Sequence, residues 1–425
     1  MAGLVRHAPV PAVADVGVLA VTDDSWNGYW TTRHFMLRHL ARLFRVAWLE
    51  PMKDWRSMIQ PHRSGDRSSG TGIDGVAKCQ PLGWLPDVYR PRWLRSAIRA
   101  SRYASAAAWL RMHGCRRVVL HVWRPSHADA LDSRRWFDAV IYHIDDEYSF
   151  SDTACPMSAA ERRLIEEADA VIVHSPGLAH RKGGINKNTY IVPNGVDYEH
   201  YARPCLIPPD LRAIPTPRIG YVGIIKKQLD LSLVRQLAER RPDWSFVLVG
   251  PLGNVCGEEN RIEALSRLPN VHLLGYRDPE QLPSYQKHVD VCIMPYKVNA
   301  YTDCIYPLKL HEYLAAGKPI VASPVRTLRD FSHVVSLASG VEEWVAAIES
   351  GLSGEALAVE RVAERRAISR EHDWSVLAGR TAAIMASFLG GNLHERVLAA
   401  IPKEPGPVHR SDGQTESIDL KGGRG

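Results

Sequence analysis

Short aliphatic runs alternate with amphipathic stretches along nearly the whole chain, and this alternation restricts the fold more than any single motif. Runs at 16–22 (VGVLAVT), 45–49, 117–122, 139–144, 170–174 and 190–192 read as strands, while 30–44, 127–136 and 158–168 carry apolar residues at helical spacing. A second series follows, with strands at 218–222, 245–249, 271–274, 291–294 and 319–323 and helices at 230–240, 258–267, 278–287 and 307–316. Asp278, Pro279 and Gln281 read as a capping-box start for the third of these helices. A long helical region is expected over 341–389. Strands that alternate with helices imply a largely parallel sheet covered on both faces. The expected fold class is therefore α/β, with two Rossmann-like doubly wound domains facing a cleft.

The length supports the same division, because 425 residues exceed the size at which one core usually keeps growing. The boundaries read as a disordered leader over 1–14, a first domain over 15–203, a proline-rich linker over 204–217 and a second domain over 218–372. A C-terminal helix over 373–392 is expected to return to the first domain, ahead of a disordered tail over 393–425. The segment 60–75 (QPHRSGDRSSGTGIDG) reads as a surface loop.

Composition excludes several function classes. Hydrophobic residues at 45% and charged residues at 24% are those of an ordinary globular protein, no apolar run is long enough to span a membrane, and residues 1–11 lack a secretory pattern. The seven cysteines are scattered with no CxxC pair, which argues against a structural zinc site or a disulfide scaffold and fits a reducing cytoplasm.

Charge is distributed unevenly. Residues 1–205 carry 27 Lys and Arg against 21 Asp and Glu, and the remainder carries 26 of each, so the net +6 lies in the first half. Arg92, Arg95, Arg99 and Arg102 follow i, i+3, i+7, i+10 spacing and share one helical face beside Trp93. A single-sign stripe flanked by Trp suggests docking on an anionic membrane surface. The other reading is a solvated face whose acidic partners come from elsewhere in the fold. No nucleic-acid motif is present, and nucleic acid is not an expected partner.

The stretch 304–324, CIYPLKLHEYLAAGKPIVASP, contains a helix with Pro307 at its start, Gly317 at its left-handed exit and Pro319 as a stop. Lys309 lies in the first turn, where a helix ordinarily prefers acids, and the unpaired amides of a helix start favour an anion. Lys309 and Glu312 read either as an exposed i, i+3 pair or as part of a ligand site.

Several segments taken in order resemble the retaining glycosyltransferases of the two-Rossmann GT-B fold. They are ADAVIVHSPGLA (168–179), YIVPNGVDYEHY (190–201), RIGYVG (218–223), FVLVGP (246–251), NVHLLGYRDPEQLPSY (270–285), DVCIMPY (290–296), PLKLHEYLAAGKPIVAS (307–323) and EHDWS (371–375). The likeness is to the group 1, family-four-like enzymes, bacterial cell-wall and exopolysaccharide transferases of teichuronic-acid type among them. It covers roughly 140–390 well and the first 140 residues loosely.

The resemblance implies a second domain that binds a nucleotide-diphosphate sugar. Glu312 would then accept hydrogen bonds from ribose hydroxyls, and Lys309 would face the pyrophosphate as a catalytic cation. Gly223, Lys226, Lys227, Tyr276 and Asp303 complete the expected donor set. On the acceptor side, Asp145 is the catalytic candidate, with Gly28, His143 and Asp146 beside it. The partners implied are that donor and a glycan or lipid-linked acceptor, and neither a cofactor nor a metal is expected. The location implied is cytoplasmic, peripheral at the inner face of the membrane.

The sequence departs from the family's pattern at two places. Cys304 stands where most members have a glutamate eight residues before Glu312, so Asp303 is the candidate substitute. Ile224 and Leu229 stand at usual basic positions of the turn after the first strand of this domain, where Lys226 and Lys227 are available instead. These departures leave open a non-catalytic subunit of polysaccharide assembly, and the fold alone leaves open a nucleotide-sugar epimerase, against which the basic first half argues.

Overall fold

A computed structural model describes residues 10–28, 30–52, 75–88, 90–149 and 156–401. Residues 1–9 of the expected leader, 60–74 of the expected loop and 402–425 of the expected tail lie outside the described residues. The chain divides into two compact units. The first holds the chain up to Tyr148, then Pro156–Pro193, then everything from Trp374 onward, and the second holds Asn194–Asp373.

The first unit is built on seven parallel strands: β1 (Val16–Val21), β2 (Arg45–Leu49), β3 (Val76–Cys79), β4 (Arg117–Val122), β5 (Ala139–Ile144), β6 (Ala170–Val173) and β7 (Thr189–Ile191). Their spatial order is β3-β2-β1-β4-β5-β6-β7. All six residues of β1 and of β5 are buried, as expected of strands covered on both faces. β3 adds a strand that the sequence reading lacks, because a four-residue run, VAKC, is too short to show a period.

The second unit holds β8 (Arg218–Val222), β9 (Ser245–Val249), β10 (Val271–Gly275), β11 (Val291–Met294), β12 (Ile320–Ala322) and β13 (Ser336–Leu337). Their order is β10-β9-β8-β11-β12-β13, again parallel throughout. In both sheets the strand order reverses beside the first strand. In open α/β sheets, ligands bind outside the carboxyl ends of the strands at such a point. The chain passes into the second unit at Asn194, ahead of the proline-rich 204–217 stretch. The Asn194 amide donates to the Tyr306 carbonyl at 2.7 Å, and Val196 forms a parallel bridge with Asp373.

Three expectations are corrected by the helices. Asp278 makes no capping hydrogen bond, and Pro279–Gln281 is a 3-10 turn ahead of the helix Leu282–His288. The region 341–389 is broken into Val341–Gly351, Val359–Glu371 and Trp374–Ser387. Within the expected tail, Leu393–Ala400 is helical, with Leu393 and Val397 buried at i, i+4 spacing and Arg396 paired to Asp15 at 2.7 Å.

The arginine stripe is the fourth correction. Helix Arg92–Met112 forms, but the face carrying Arg95, Arg99 and Arg102 also carries Ala106 and Leu110, and it turns inward. Arg102 is 5% exposed and donates to the carbonyls of Pro81 and Glu50 at 3.0 and 2.6 Å. Arg99 holds both carboxylate oxygens of Asp129 at 3.0 and 3.1 Å, and Arg95 reaches Asp87 at 3.4 Å. These three cations therefore do not form a membrane-facing surface. Trp93 is exposed, and the side chain of Arg92 lies outside the described residues.

A buried ionic cluster ties the loop after β5 to two helices of the same unit. The Lys182 ammonium donates to Glu161 at 2.6 Å and to Glu147 at 3.1 Å, and all three side chains are essentially inaccessible. Burial raises the Glu161 pKa despite the opposing pull of Lys182. Removing one partner of a buried pair leaves an uncompensated charge. Lys182→Met is expected to cost about 3–5 kcal/mol in denaturant unfolding, whereas truncation of an exposed pair such as Arg162–Glu166 costs about 0.5 kcal/mol or less.

Candidate functional site

In the second unit, helix Leu308–Ala316 begins without a capping side chain and without an acid in its first turn, and Gly317 ends it in the left-handed region at φ 76°. Its depth is set by Tyr313. The backbone N–H of Val222 donates to the Tyr313 hydroxyl at 2.8 Å, and that hydroxyl lies 3.3 Å from the Val222 carbonyl. Residues four apart share a helix face, so fixing Tyr313 at the end of β8 brings Lys309 to the same strand end.

Lys309 is half-buried there and donates to the Tyr296 hydroxyl at 3.0 Å. Its ammonium lies 5.1 Å from the ring centre of Tyr221 and 5.7 Å from that of Tyr296. Burial disfavours the charge but is outweighed by the two tyrosines and Glu312, so the Lys309 pKa lies above the ordinary lysine value. Gly223 makes this approach possible. At φ +149° a Cβ would meet Lys309 Cε at 2.9 Å, while a Cβ on the neighbouring Gly250 would lie 2.2 Å from the Gly223 carbonyl oxygen.

Glu312 lies one turn farther along the helix. Its carboxylate accepts from Gln286 Nε2 at 2.9 Å and is also hydrogen-bonded to Tyr201. Burial raises the Glu312 pKa, against the opposing effects of Gln286, Lys309 and Tyr201. The same helix is braced from behind. The Tyr306 hydroxyl is 2.7 Å from His311 Nε2, His311 stacks on His372 at 3.9 Å, and the Ser369 hydroxyl donates to the His311 carbonyl at 2.8 Å.

The other expected donor residues are spread around the strand ends. Lys226 and Lys227 are in the turn after β8, where the Lys227 N–H donates to the Asn254 carbonyl at 3.0 Å. Tyr276 is half-exposed after β10, with its hydroxyl on Asp278 at 3.2 Å. The Asp303 carboxylate accepts the backbone N–H of Arg326 at 3.2 Å. Cys304 is buried, its thiol directed to the Ala300 carbonyl at 3.5 Å. The structure thus brings Gly223, Lys309 and Glu312 together. The sequence reading assigned no role to Tyr221, Tyr296, Gln286 or Tyr201. Tyr221 and Tyr296 both lie inside quoted motifs, RIGYVG and DVCIMPY, and only the fold shows that these motifs end at adjacent strand ends.

In the first unit, Asp145 follows β5 and is nearly inaccessible. It accepts from Arg33 Nε at 2.7 Å and from the Tyr148 hydroxyl at 3.0 Å. Arg33 also donates to Thr22 at 3.3 Å and pairs with Asp24. Burial raises the Asp145 pKa, but Arg33 and Arg124 outweigh it and hold the carboxyl below the ordinary value. Arg33 was missed because an arginine in an amphipathic helix ordinarily reads as solvent-facing.

Asp146 accepts the Glu147 N–H at 2.8 Å. His143 is a core residue, stacked on Trp123 at 4.0 Å and 3.3 Å from His121, and burial drives its pKa well below that of free imidazole. Gly28 is exposed and closes a turn by donating to the Ser25 carbonyl at 2.9 Å. Among the described residues no group of three or more His, Cys, Asp or Glu side chains is placed to hold a metal ion.

Residues 216–353 match the family model of the group 1 glycosyl transferases. The match lies wholly within the second unit. TuaH of Bacillus subtilis (strain 168), named as a teichuronic acid biosynthesis glycosyltransferase, is 34% identical over 237 residues, 52% of this chain and 57% of that protein. The chain thus spans little more than half the length of that curated relative. Sucrose-phosphate synthase from Thermosynechococcus elongatus matches with a TM-score of 0.63 at 17% identity, over 88% of this chain and 98% of that one.

An E. coli trehalose-6-phosphate protein bound with UDP-2-fluoro glucose matches with a TM-score of 0.60 at 11% identity, over 88% and 99% of the two chains. A glycosyltransferase from Rickettsia africae ESF-5 gives 0.64 at 10% identity, over 89% and 99%. At these identities the structures establish the fold, which is GT-B. Among the described residues no helix is long and apolar enough to cross a membrane.

Two outcomes follow from the geometry. Gly223→Ala is expected to displace Lys309 and to cost about 1–3 kcal/mol of stability, measured by thermal and denaturant unfolding. The Asp145 contribution to stability is expected to be full above the ordinary aspartate value of 3.8 and to be lost as pH falls through its lowered folded pKa. Unfolding free energy measured between pH 2 and 6 for wild type and Asp145→Asn checks this, because the variant lacks that titrating term.

Proposed function

We propose that this chain is a retaining glycosyltransferase, moving a sugar from a nucleotide-diphosphate donor to a glycan or lipid-linked acceptor in cell-envelope polysaccharide synthesis. The observation that carries the reading is Lys309, a protonated side chain held at the uncapped start of a helix, beside a glycine that leaves no room for a Cβ. A diphosphate needs such a place: a full positive charge, unpaired backbone N–H groups and close backbone approach.

The donor's diphosphate sits against Lys309 and the first turn of helix Leu308–Ala316, and Lys226 and Lys227 contribute charge from the turn after β8. Glu312 accepts from the ribose hydroxyls, which suits a carboxylate already oriented by Gln286 and Tyr201. A uridine nucleotide is the first donor to test, given the ligand of the trehalose-6-phosphate protein. The bond broken joins the anomeric carbon to the diphosphate oxygen. Negative charge grows on the departing diphosphate, and Lys309 gains most of its interaction there. Asp145, held ionised by Arg33, acts on the acceptor side. The likeness to TuaH supports a teichuronic-acid type of polymer as the product.

Lys309→Ala is expected to lower turnover by about 10²- to 10³-fold with a much smaller loss in donor affinity, measured by steady-state transfer and by calorimetric titration of UDP-glucose and UDP. Glu312→Ala is expected to weaken nucleotide binding while circular dichroism remains unchanged. Wild-type affinity and turnover in both variants would place the donor elsewhere.

A further inference from the structure

The inward arginines of helix Arg92–Met112 surround a cavity of about 170 Å³ in the first unit, near the carboxyl ends of β1 and β2. Its walls include Asp23, Glu50, Asp87, Arg95, Arg99 and Arg102. The acids are already engaged. Asp23 accepts from Ser126 and faces His127 at 3.0 Å, Glu50 accepts from the Ser25 hydroxyl at 2.8 Å and the Trp26 N–H at 3.1 Å, and Asp87 faces Arg95.

Two of the cations are engaged as well: Arg99 on Asp129 and Arg95 on Asp87. Arg102 differs. It is the most buried of the three, it donates to the neutral carbonyls of Pro81 and Glu50, and among the described residues no carboxylate lies within ion-pair distance of it. Those two bonds use Nε and Nη2 and leave Nη1 of a cavity-lining guanidinium for another acceptor. Desolvation lowers its pKa against the opposing pull of Asp87 across the same cavity, yet a guanidinium stays charged at any physiological pH, so a positive charge is held inside with no carboxylate in direct contact among the described residues.

We propose that this cavity binds a phosphate or carboxylate group carried by the acceptor, with Arg102 as its counter-ion and Arg95 at the mouth. The proposal deepens the transferase reading by giving the acceptor a negatively charged substituent, and it rests on that reading only for the word acceptor. The volume suits one charged group with part of the sugar ring that bears it. Arg102 supplies a directed N–H and the cation, and the more exposed Arg95 can move from Asp87 to the incoming anion. This assignment also accounts for part of the basic excess of the first half of the chain.

The test is calorimetric titration of the full chain at low ionic strength with glucose 6-phosphate, glucuronate and glucose, in wild type, Arg102→Gln and Arg95→Gln, with UDP titrated into the same samples. The wild type is expected to bind one or both charged sugars at least about tenfold more tightly than glucose. The stronger of the two identifies phosphate or carboxylate as the natural group. Arg102→Gln is expected to lose about 10- to 100-fold and Arg95→Gln about threefold, with added salt weakening the wild type.

Equal binding of glucose, no binding of either charged sugar, or unchanged affinity in Arg102→Gln overturns the proposal. If Arg102→Gln does not fold, unchanged affinity in Arg95→Gln overturns it and a loss supports it. UDP binding should be the same in all three proteins. A wild type that binds the charged sugar and not UDP leaves the cavity assigned and removes the donor reading, and the converse result removes the cavity alone.

Discussion

The contact between the Tyr313 hydroxyl and the backbone of Val222 fixes where helix Leu308–Ala316 begins. The consequence is geometric. With Tyr313 locked at the end of β8, Lys309 has one place to go, over Gly223 and between Tyr221 and Tyr296. Glu312, one turn on, then falls between Gln286 and Tyr201. The Tyr306, His311, His372 and Ser369 contacts hold the opposite side of the same helix, so its position is determined from two directions. A cation is thereby held near two aromatic faces at a strand-order reversal, which is the arrangement the proposed donor site requires.

The first unit uses the same sheet architecture with different electrostatics. Several of its charges are internal and paired: Lys182 with Glu147 and Glu161, Arg33 with Asp145 and Asp24, Arg99 with Asp129. Such pairs gain little net stability over apolar replacements, but breaking one is costly, so they fix loop positions at the strand ends rather than add bulk stability. Arg102 stands apart because carbonyl dipoles, not a carboxylate, surround its charge.

Most of the fold was legible because buried parallel strands are continuous aliphatic runs, and the runs at 117–122, 139–144, 218–222, 245–249 and 291–294 coincide with strands. Asp230 and Ser158, the first residues of two stretches read as helices, close Leu231–Arg240 and Ala159–Glu167 with their side chains. Asp278, read as a capping-box start, makes no such bond, since the 3-10 turn after it takes the backbone elsewhere. Periodicity placed Arg95, Arg99 and Arg102 on one face correctly but could not say which way it turned. The single-sign stripe was read as a membrane-docking face, whereas tertiary carbonyls, Asp129 and Asp87 take these cations. Lys309 and Glu312 were visible as an anomaly in one helix start, whereas Tyr221, Gln286 and Tyr201 come from distant segments that only the sheet order assembles.

The most direct measurement is a crystal structure of the chain with UDP-glucose or its 2-fluoro analogue bound. The account predicts diphosphate oxygens within hydrogen-bond distance of Lys309 Nζ and of the first amides of helix Leu308–Ala316, with ribose hydroxyls on Glu312. A donor bound with its diphosphate away from Lys309, while Lys309 remains on Tyr296, would contradict it.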